Sequence, residues 1–305
     1  KKFPLGLNYY LFSFFSILES FKFNPDIYIT RNFFTCFLLI IFRKKTILEL
    51  HHDLNIESRI VRFLVKRTNF LNSNRLINLI AITKKVGQYY IDDYSVKKKK
   101  IVVLPSGSSI NPCFNKPIIK KEYNIGYLGS LYNSRGFNLI QKLAKLDKKN
   151  IYHVYGDTKH LKNLLSLRNI KNLKINDYVP YREVPKILLE MDIVLMPYTS
   201  SITVAGDVGD ITKYTSPLKL FDYLSTGKVI ICSDISVLKE NLNSKINAIF
   251  IKNFTNVNTW KMEIQKLVNQ VNKLTIISKN NFKHSKNFSH NERAKKILKI
   301  VNLPL

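Results

Sequence analysis

A chain of 305 residues has room for two α/β domains of ordinary size, each with its own core, and is too long for a lone small binding module. Its 45% hydrophobic and 12% aromatic residues exclude wholesale disorder. Lys and Arg number 49 against 21 Asp and Glu, and the formal charge of +28 draws anions at long range without choosing among nucleic acid, acidic lipid and phosphorylated ligands. Much of that charge is Lys interleaved with Asn and Ile, a pattern that an AT-rich genome also produces. Cys36, Cys113 and Cys232 stand apart with no CxxC spacing, which argues against a disulfide framework and a structural zinc site and for a reducing cytoplasm.

The chain opens on Lys1 and an aromatic, helix-like stretch at 9–21 that lacks the small-residue cleavage region of a signal peptide, so a further segment is expected upstream. The apolar run 33–42 falls short of the ~20 residues that a membrane span needs and reads as a helix buried against a sheet. Short β-branched runs at 26–30, 46–50, 79–83 and 101–104 alternate with helix-like segments, which predicts a parallel sheet covered on both faces. Within this half, SRIVRFLVKR at 58–67 brings Arg59, Arg62, Lys66 and Arg67 near one side of a helix, with Ile60, Phe63 and Leu64 for apolar contact. Together with the basic cluster at 43–45 it is expected to dock on an anionic membrane surface, the competing reading being a core helix with an ordinary solvated face. The lysine run 97–100 reads as a solvated turn.

Around 105–121 the apolar period lapses into Pro, Gly, Ser, Asn and Lys, as in an interdomain linker. A second βα series follows, with strands expected at 123–128, 151–155, 173–179, 193–198, 229–233 and 248–251 and helices at 137–146, 181–190 and 217–226. An amphipathic helix at 287–301 closes the chain.

The most informative segment is 215–234, TSPLKLFDYLSTGKVIICSD, a complete helix with both caps and a following strand. Ser216 suits the N-cap, Pro217 the first helical position and Gly227 the stop. The unpaired N–H groups and positive dipole end of such a helix suit a diphosphate. Lys219 lies in the first turn, where the dipole disfavours a cation unless an anion sits in front of it; the alternative is a lysine reaching into solvent. Asp222, on the same helical face, suits a ribose diol or a pair with Lys219.

This segment resembles the donor-binding stretch of family 4 glycosyltransferases, in the subgroup whose signature reads SPLKLFEYMAAGKPII. The resemblance implies the α/β GT-B fold, two Rossmann-like domains with parallel sheets facing a cleft: an acceptor-side domain over 1–115, a nucleotide-sugar-binding domain over 122–280, and a tail at 281–305 returning to the first. It assigns the ribose to Asp222 and the diphosphate to the helix start at Ser216 and Leu218 and to Lys219. NIGYLGSLYNSRGF at 124–137 resembles the family's phosphate loop, which adds Arg135 to the diphosphate contacts and sets Ser130 where many members carry a second Arg. HVYGD at 153–157 and DYVPYREVPKIL at 177–188 resemble the strand ends flanking the base, here Gly156 and Val179. NPDIYITR and ILELHHD resemble strand ends facing the cleft, which makes His51 the acceptor-side catalytic candidate with His52 behind it; a His bonded to neighbouring backbone is the competing reading. Where many members carry an acidic residue for the donor sugar this chain has Tyr214, and Asp207 or Asp210 in the preceding loop is the substitute. The family's first strand and glycine-rich loop are not found, so the resemblance runs from about Asn24 onward.

With no DxD motif and no cluster at ligand spacing, metal-independent chemistry without a cofactor is expected. The resemblance then implies retaining transfer of a sugar from a nucleotide-sugar donor to a saccharide or lipid-linked acceptor, in bacterial surface polysaccharide or lipopolysaccharide assembly. The compartment expected is the cytoplasm, at the inner face of its membrane. A sugar-nucleotide epimerase of the same fold and a basic nucleic-acid-binding protein are the alternatives; with no recognisable motif for the latter, no nucleic-acid partner is expected.

Overall fold

The computed structural model describes residues 7–159, 161, 164–203, 210, 212–244 and 246–301. The chain divides into two compact units, Lys1–Pro105 with Lys213–Ser216 and Lys296–Leu305, and Ser106–Thr212 with Pro217–Lys295.

The first unit holds four parallel strands, β1 (Tyr28–Thr30), β2 (Thr46–Leu50), β3 (Leu76–Ala81) and β4 (Ile101–Val103), side by side in chain order. Every residue of β2 is buried, as a strand covered on both faces requires. Local chemistry starts its helices: Asn32 accepts from the Thr35 N–H at 2.9 Å before the helix Phe33–Ile41, and Ser58 caps Arg59–Thr68 through the Val61 N–H. Strand β3 begins three residues before the expected 79, since Asn78 does not break it; its side chain bonds the Lys100 carbonyl instead. The last residues of the helix His290–Ile300 count with this unit, and Ile297 and Ile300 pack on Ile47, Ile80 and Leu104.

The second unit holds six parallel strands: β5 (Asn124–Leu128), β6 (Ile151–Tyr155), β7 (Leu173–Asn176), β8 (Ile193–Met196), β9 (Val229–Ser233) and β10 (Ala248–Ile251). Their spatial order is β10-β9-β8-β5-β6-β7, so succession turns one way after β5 and the other way from β8. Ligands in such open sheets bind beyond the carboxyl ends of the strands at this switch point. Alternation sorts the residues between two cores: Ile193, Leu195, Val229 and Ile231 join one, Val194, Met196, Ile230 and Cys232 the other. Strand β7 stops at Asn176, before the expected 179, where the Asp177 carboxylate accepts from the Tyr178 N–H at 2.7 Å and turns the chain. Strand β8 stops ahead of Pro197, which has no N–H to donate.

Residues 106–121 carry the linker composition and no helix or strand, yet they are tied into the second unit. The Ser108 N–H donates to the Phe288 carbonyl at 2.8 Å, the His290 N–H to the Ser108 carbonyl at 3.1 Å, and the Cys113 N–H to the Ser225 carbonyl at 2.9 Å. Among the described residues no helix is long and apolar enough to cross a membrane.

Candidate functional site

At the switch point the end of β5 and the start of the helix Leu218–Ser225 meet with no space to spare. Gly129, just past β5, has φ +140, and a Cβ there would lie 2.5 Å from Lys219 Nζ. A Cβ on Gly156, just past β6, would meet the Gly129 carbonyl oxygen at 2.2 Å. These close approaches form one wall of a cavity of about 930 Å³. Leu131, Phe137, Leu161 and Leu167 give it an apolar side, and Tyr178, Val179 and Tyr181 follow from the loop after β7. Ser130, Gly156, Val179, Leu218, Lys219 and Asp222, all expected from the sequence, line it together.

Lys219 as a whole is half-buried, but its ammonium meets no solvent and finds no hydrogen-bond acceptor among the described residues. Nζ lies 4.0 Å from the centroid of the Tyr127 ring and 5.7 Å from that of Tyr198. Burial, reinforced by the Arg135 guanidinium, pulls the pKa of Lys219 down to about 7. Arg135 lies over the other part of this aromatic floor, 5.4 Å from the Tyr198 centroid, and donates to the Thr203 carbonyl at 3.2 Å. Two cations converge here without a facing carboxylate: among the described residues, neither Lys219 nor Arg135 has an acidic partner within ion-pair distance.

Asp222 lies one turn further along the helix and is almost fully buried. Its Oδ1 accepts from Ser108 Oγ at 2.6 Å and from the Tyr181 hydroxyl at 2.7 Å. Burial raises its pKa above the usual carboxylate range, while these two bonds and the nearby His290 pull it back. Both bonds fall on Oδ1, so Oδ2 has no partner among the described residues. The pair with Lys219 left open by the sequence does not form.

The helix start differs from expectation in one respect. Pro217, not Ser216, is the N-cap residue, with no side-chain cap, and Ser216 Oγ finds no hydrogen-bond partner among the described residues. At the other end Gly227 follows the last turn with φ +61.

The remaining candidates fall elsewhere. His51 and His52 follow β2 in the first unit: His51 Nε2 is 2.6 Å from Oε1 of the buried Glu49, whereas His52 Nδ1 bonds the Asp53 carbonyl at 2.7 Å. Tyr214, also in the first unit, packs its ring 5.9 Å from that of Tyr89. Asp210, in the second unit, is exposed and engaged by the Thr212 N–H and hydroxyl, which hold its carboxyl below the usual range. Asp207 lies outside the described residues. Sequence reading missed Ser108, Tyr181, His290 and the aromatic floor of Tyr127 and Tyr198. Ser108 stands 114 positions from the carboxylate that it serves, and no local pattern marks it. No group of three or more His, Cys, Asp or Glu among the described residues could hold a metal ion.

Comparison with known proteins bears on this site. No curated protein matches the chain. Among solved structures it resembles Anabaena Alr3699/HepE in complex with UDP, at 14% identity and a TM-score of 0.74, over 94% of this chain and 81% of that one. A glycosyltransferase from Rickettsia africae is similar at 16% identity and a TM-score of 0.67, over 98% and 82%. WaaG, a glycosyltransferase involved in lipopolysaccharide biosynthesis, follows at 15% and 0.57, over 90% and 74%. At such identities the likeness carries the fold, which is GT-B. The family of glycosyl transferases group 1 matches residues 113–284, more than half of the chain and every residue of the cavity wall, and the chain belongs to that family.

Proposed function

We propose that the chain transfers a sugar from a nucleoside diphosphate sugar to an acceptor hydroxyl, with the diphosphate between Lys219 and Arg135. The observation that carries this reading is the enclosed Lys219 ammonium, which has no acceptor among the described residues and is crowded by a second cation. An unpaired buried cation is costly, and a diphosphate supplies both the charge and the acceptors. The N–H groups at the start of Leu218–Ser225 point the same way. Asp222, with Oδ2 unengaged, suits the ribose diol, and the apolar side of the cavity suits a base. The similar HepE structures hold UDP and UDP-glucose, which supports a nucleotide-sugar donor.

In the transfer the bond between the anomeric carbon and the diphosphate breaks, the diphosphate leaves with the bonding pair, and the acceptor oxygen bonds to the anomeric carbon as its proton is released. Its negative charge grows as it departs, so Lys219 and Arg135 stabilise the transition state more than the ground state. Two fixed cations do the work of charge neutralisation, in keeping with metal-independent chemistry and no cofactor. Retention of configuration accords with the family 4 motif. His51, held by Glu49, would serve the acceptor hydroxyl, and Asp210 or Tyr214 the donor sugar. The acceptor in this reading is a saccharide or lipid-linked hydroxyl, and the likeness to WaaG, a glycosyltransferase involved in lipopolysaccharide biosynthesis, supports a place in cell-surface polysaccharide or lipopolysaccharide assembly. Three free cysteines, two of them buried, support a reducing compartment.

Thermal unfolding with a panel of nucleoside diphosphates and their sugars tests the reading. One or more members should raise the transition temperature, and the same member should donate to an acceptor glycan. A flat response across the panel would sink it.

A further inference from the structure

The helix Arg59–Thr68 buries Val61 and Val65 and turns the opposite face outward. Phe63 stands at the centre of that face and is 63% exposed; Ile60 beside it is 53% exposed. The positions three and four residues from Phe63 in both directions are Arg59, Ile60, Lys66 and Arg67, so an exposed phenyl ring is encircled by three cations and an isoleucine. Arg62 flanks the group, half-buried, and Leu64 turns inward to pack on the core, unlike its expected apolar contact.

Lys66 and Arg67 lie in the last turn, where the dipole favours cations, but the rest of the arrangement works against the helix in water. Arg59 occupies the first turn, where the dipole repels a cation, and the segment RIVRFLVKRT has no acidic residue to offset it. Arg62 and Lys66, four apart, are a like-charge pair of the kind that destabilises helices. A single exposed apolar residue is ordinary on a protein surface, but one centred in a cationic ring pairs poorly with any neighbour that is only anionic or only apolar. A partner offering both a negatively charged layer and an apolar interior a few ångströms beneath it relieves every one of these conflicts.

We propose that this face docks on an anionic lipid surface, Phe63 and Ile60 entering between the headgroups while Arg59, Lys66 and Arg67 lie at the level of the lipid phosphates. Nucleic acid would match the cations but leave the ring and the isoleucine in water. The inference uses only the first unit and stands independently of the donor-site reading.

Vesicle co-sedimentation of the full chain tests it, comparing phosphatidylcholine alone with an equimolar mixture of phosphatidylcholine and phosphatidylglycerol. Binding should require phosphatidylglycerol and weaken with salt. Phe63→Ser, on the surface and so compatible with folding, should reduce the partition coefficient about ten-fold. Each neutralisation among Arg59→Gln, Lys66→Gln and Arg67→Gln should cost about five-fold. An unchanged thermal transition in these variants confirms that the fold is intact. Equal binding to both vesicle types, or Phe63→Ser binding like the parent, overturns the proposal. So does loss, in Phe63→Ser, of a solution dimer that binds no vesicles, or binding to an oligonucleotide that displaces the protein from vesicles without regard to Phe63.

Discussion

Lys219 carries its ammonium 4.0 Å from the centre of the Tyr127 ring, so an aromatic face supplies the contact that a carboxylate would normally give a buried cation. The quadrupole of the ring steadies the charge without neutralising it, which leaves the cation available to a ligand. Lys219→Met keeps the stem and removes the charge. It should weaken nucleoside diphosphate binding by about 1.5 to 3 kcal/mol, the range of a charge-assisted hydrogen bond, and leave the affinity for the free nucleoside unchanged. Calorimetric titration with both ligands checks this; equal affinity of Lys219→Met and the parent for the diphosphate removes Lys219 from the site.

The same lysine predicts opposite pH dependences for stability and for ligand binding. Its pKa is pulled from 10.5 to about 7 in the folded chain without ligand. Between those values the unfolded chain binds the extra proton, so this group makes the folded protein more stable as pH rises from about 7 toward 10.5. Below about 7 both states are protonated, the slope vanishes, and the burial of the charge remains as a constant cost. Diphosphate binding favours the protonated lysine, so affinity should fall up to ten-fold per unit as pH rises above about 7, where the phosphates are already ionised. Melting curves and titrations across pH 6 to 10 read both slopes, and Lys219→Met should lose both. A diphosphate affinity that is flat over this range contradicts the assignment.

Asp222 offers a separable test, because Ser108 and Tyr181 occupy Oδ1 and leave Oδ2 to a ligand. Asp222→Asn retains the shape and weakens an acceptor by roughly 1 to 2 kcal/mol. The loss should appear with the ribonucleotide and be nearly absent with its 2′-deoxy analogue, which lacks one of the two hydroxyls. Equal losses with both would move Asp222 away from the ribose.

Much of the second unit was legible in the sequence because its strands are short β-branched runs bounded by residues that stop strands. Strands β6, β9 and β10 and the helix Phe137–Leu146 fall on the expected boundaries. The helix Leu218–Ser225 was legible for the same local reason, with Pro217 before it and Gly227 behind. What could not be read depends on chain segments far apart in sequence. Tyr127 looked like one more aromatic strand residue until Lys219 folded across it, and Ser108 belonged to a stretch whose composition spelled linker. The bond from Ser108 to Asp222 exists because the Phe288 carbonyl and the His290 N–H hold Ser108 in place, a relationship that no window of neighbouring residues contains.

His51 is the candidate that tests whether the first unit takes part in chemistry and not only in folding. Its Nε2 lies 2.6 Å from Glu49 Oε1, and Glu49, at 5% exposure, is also 3.4 Å from the Arg31 guanidinium. A buried carboxylate at this distance fixes the orientation of the imidazole, as suits a group placed to act as a general acid or base. His51→Asn should lower turnover by about 10²-fold or more, within the range for loss of a general acid or base, without altering nucleoside diphosphate affinity, which rests on Lys219 and Arg135 in the second unit. Glu49→Gln, which keeps a hydrogen-bond acceptor and removes the charge, should lower turnover less than His51→Asn. Measured together, thermal shift by the diphosphate and steady-state transfer separate the roles. A His51→Asn protein that binds the diphosphate normally and still turns over at the parental rate assigns His51 to structure alone.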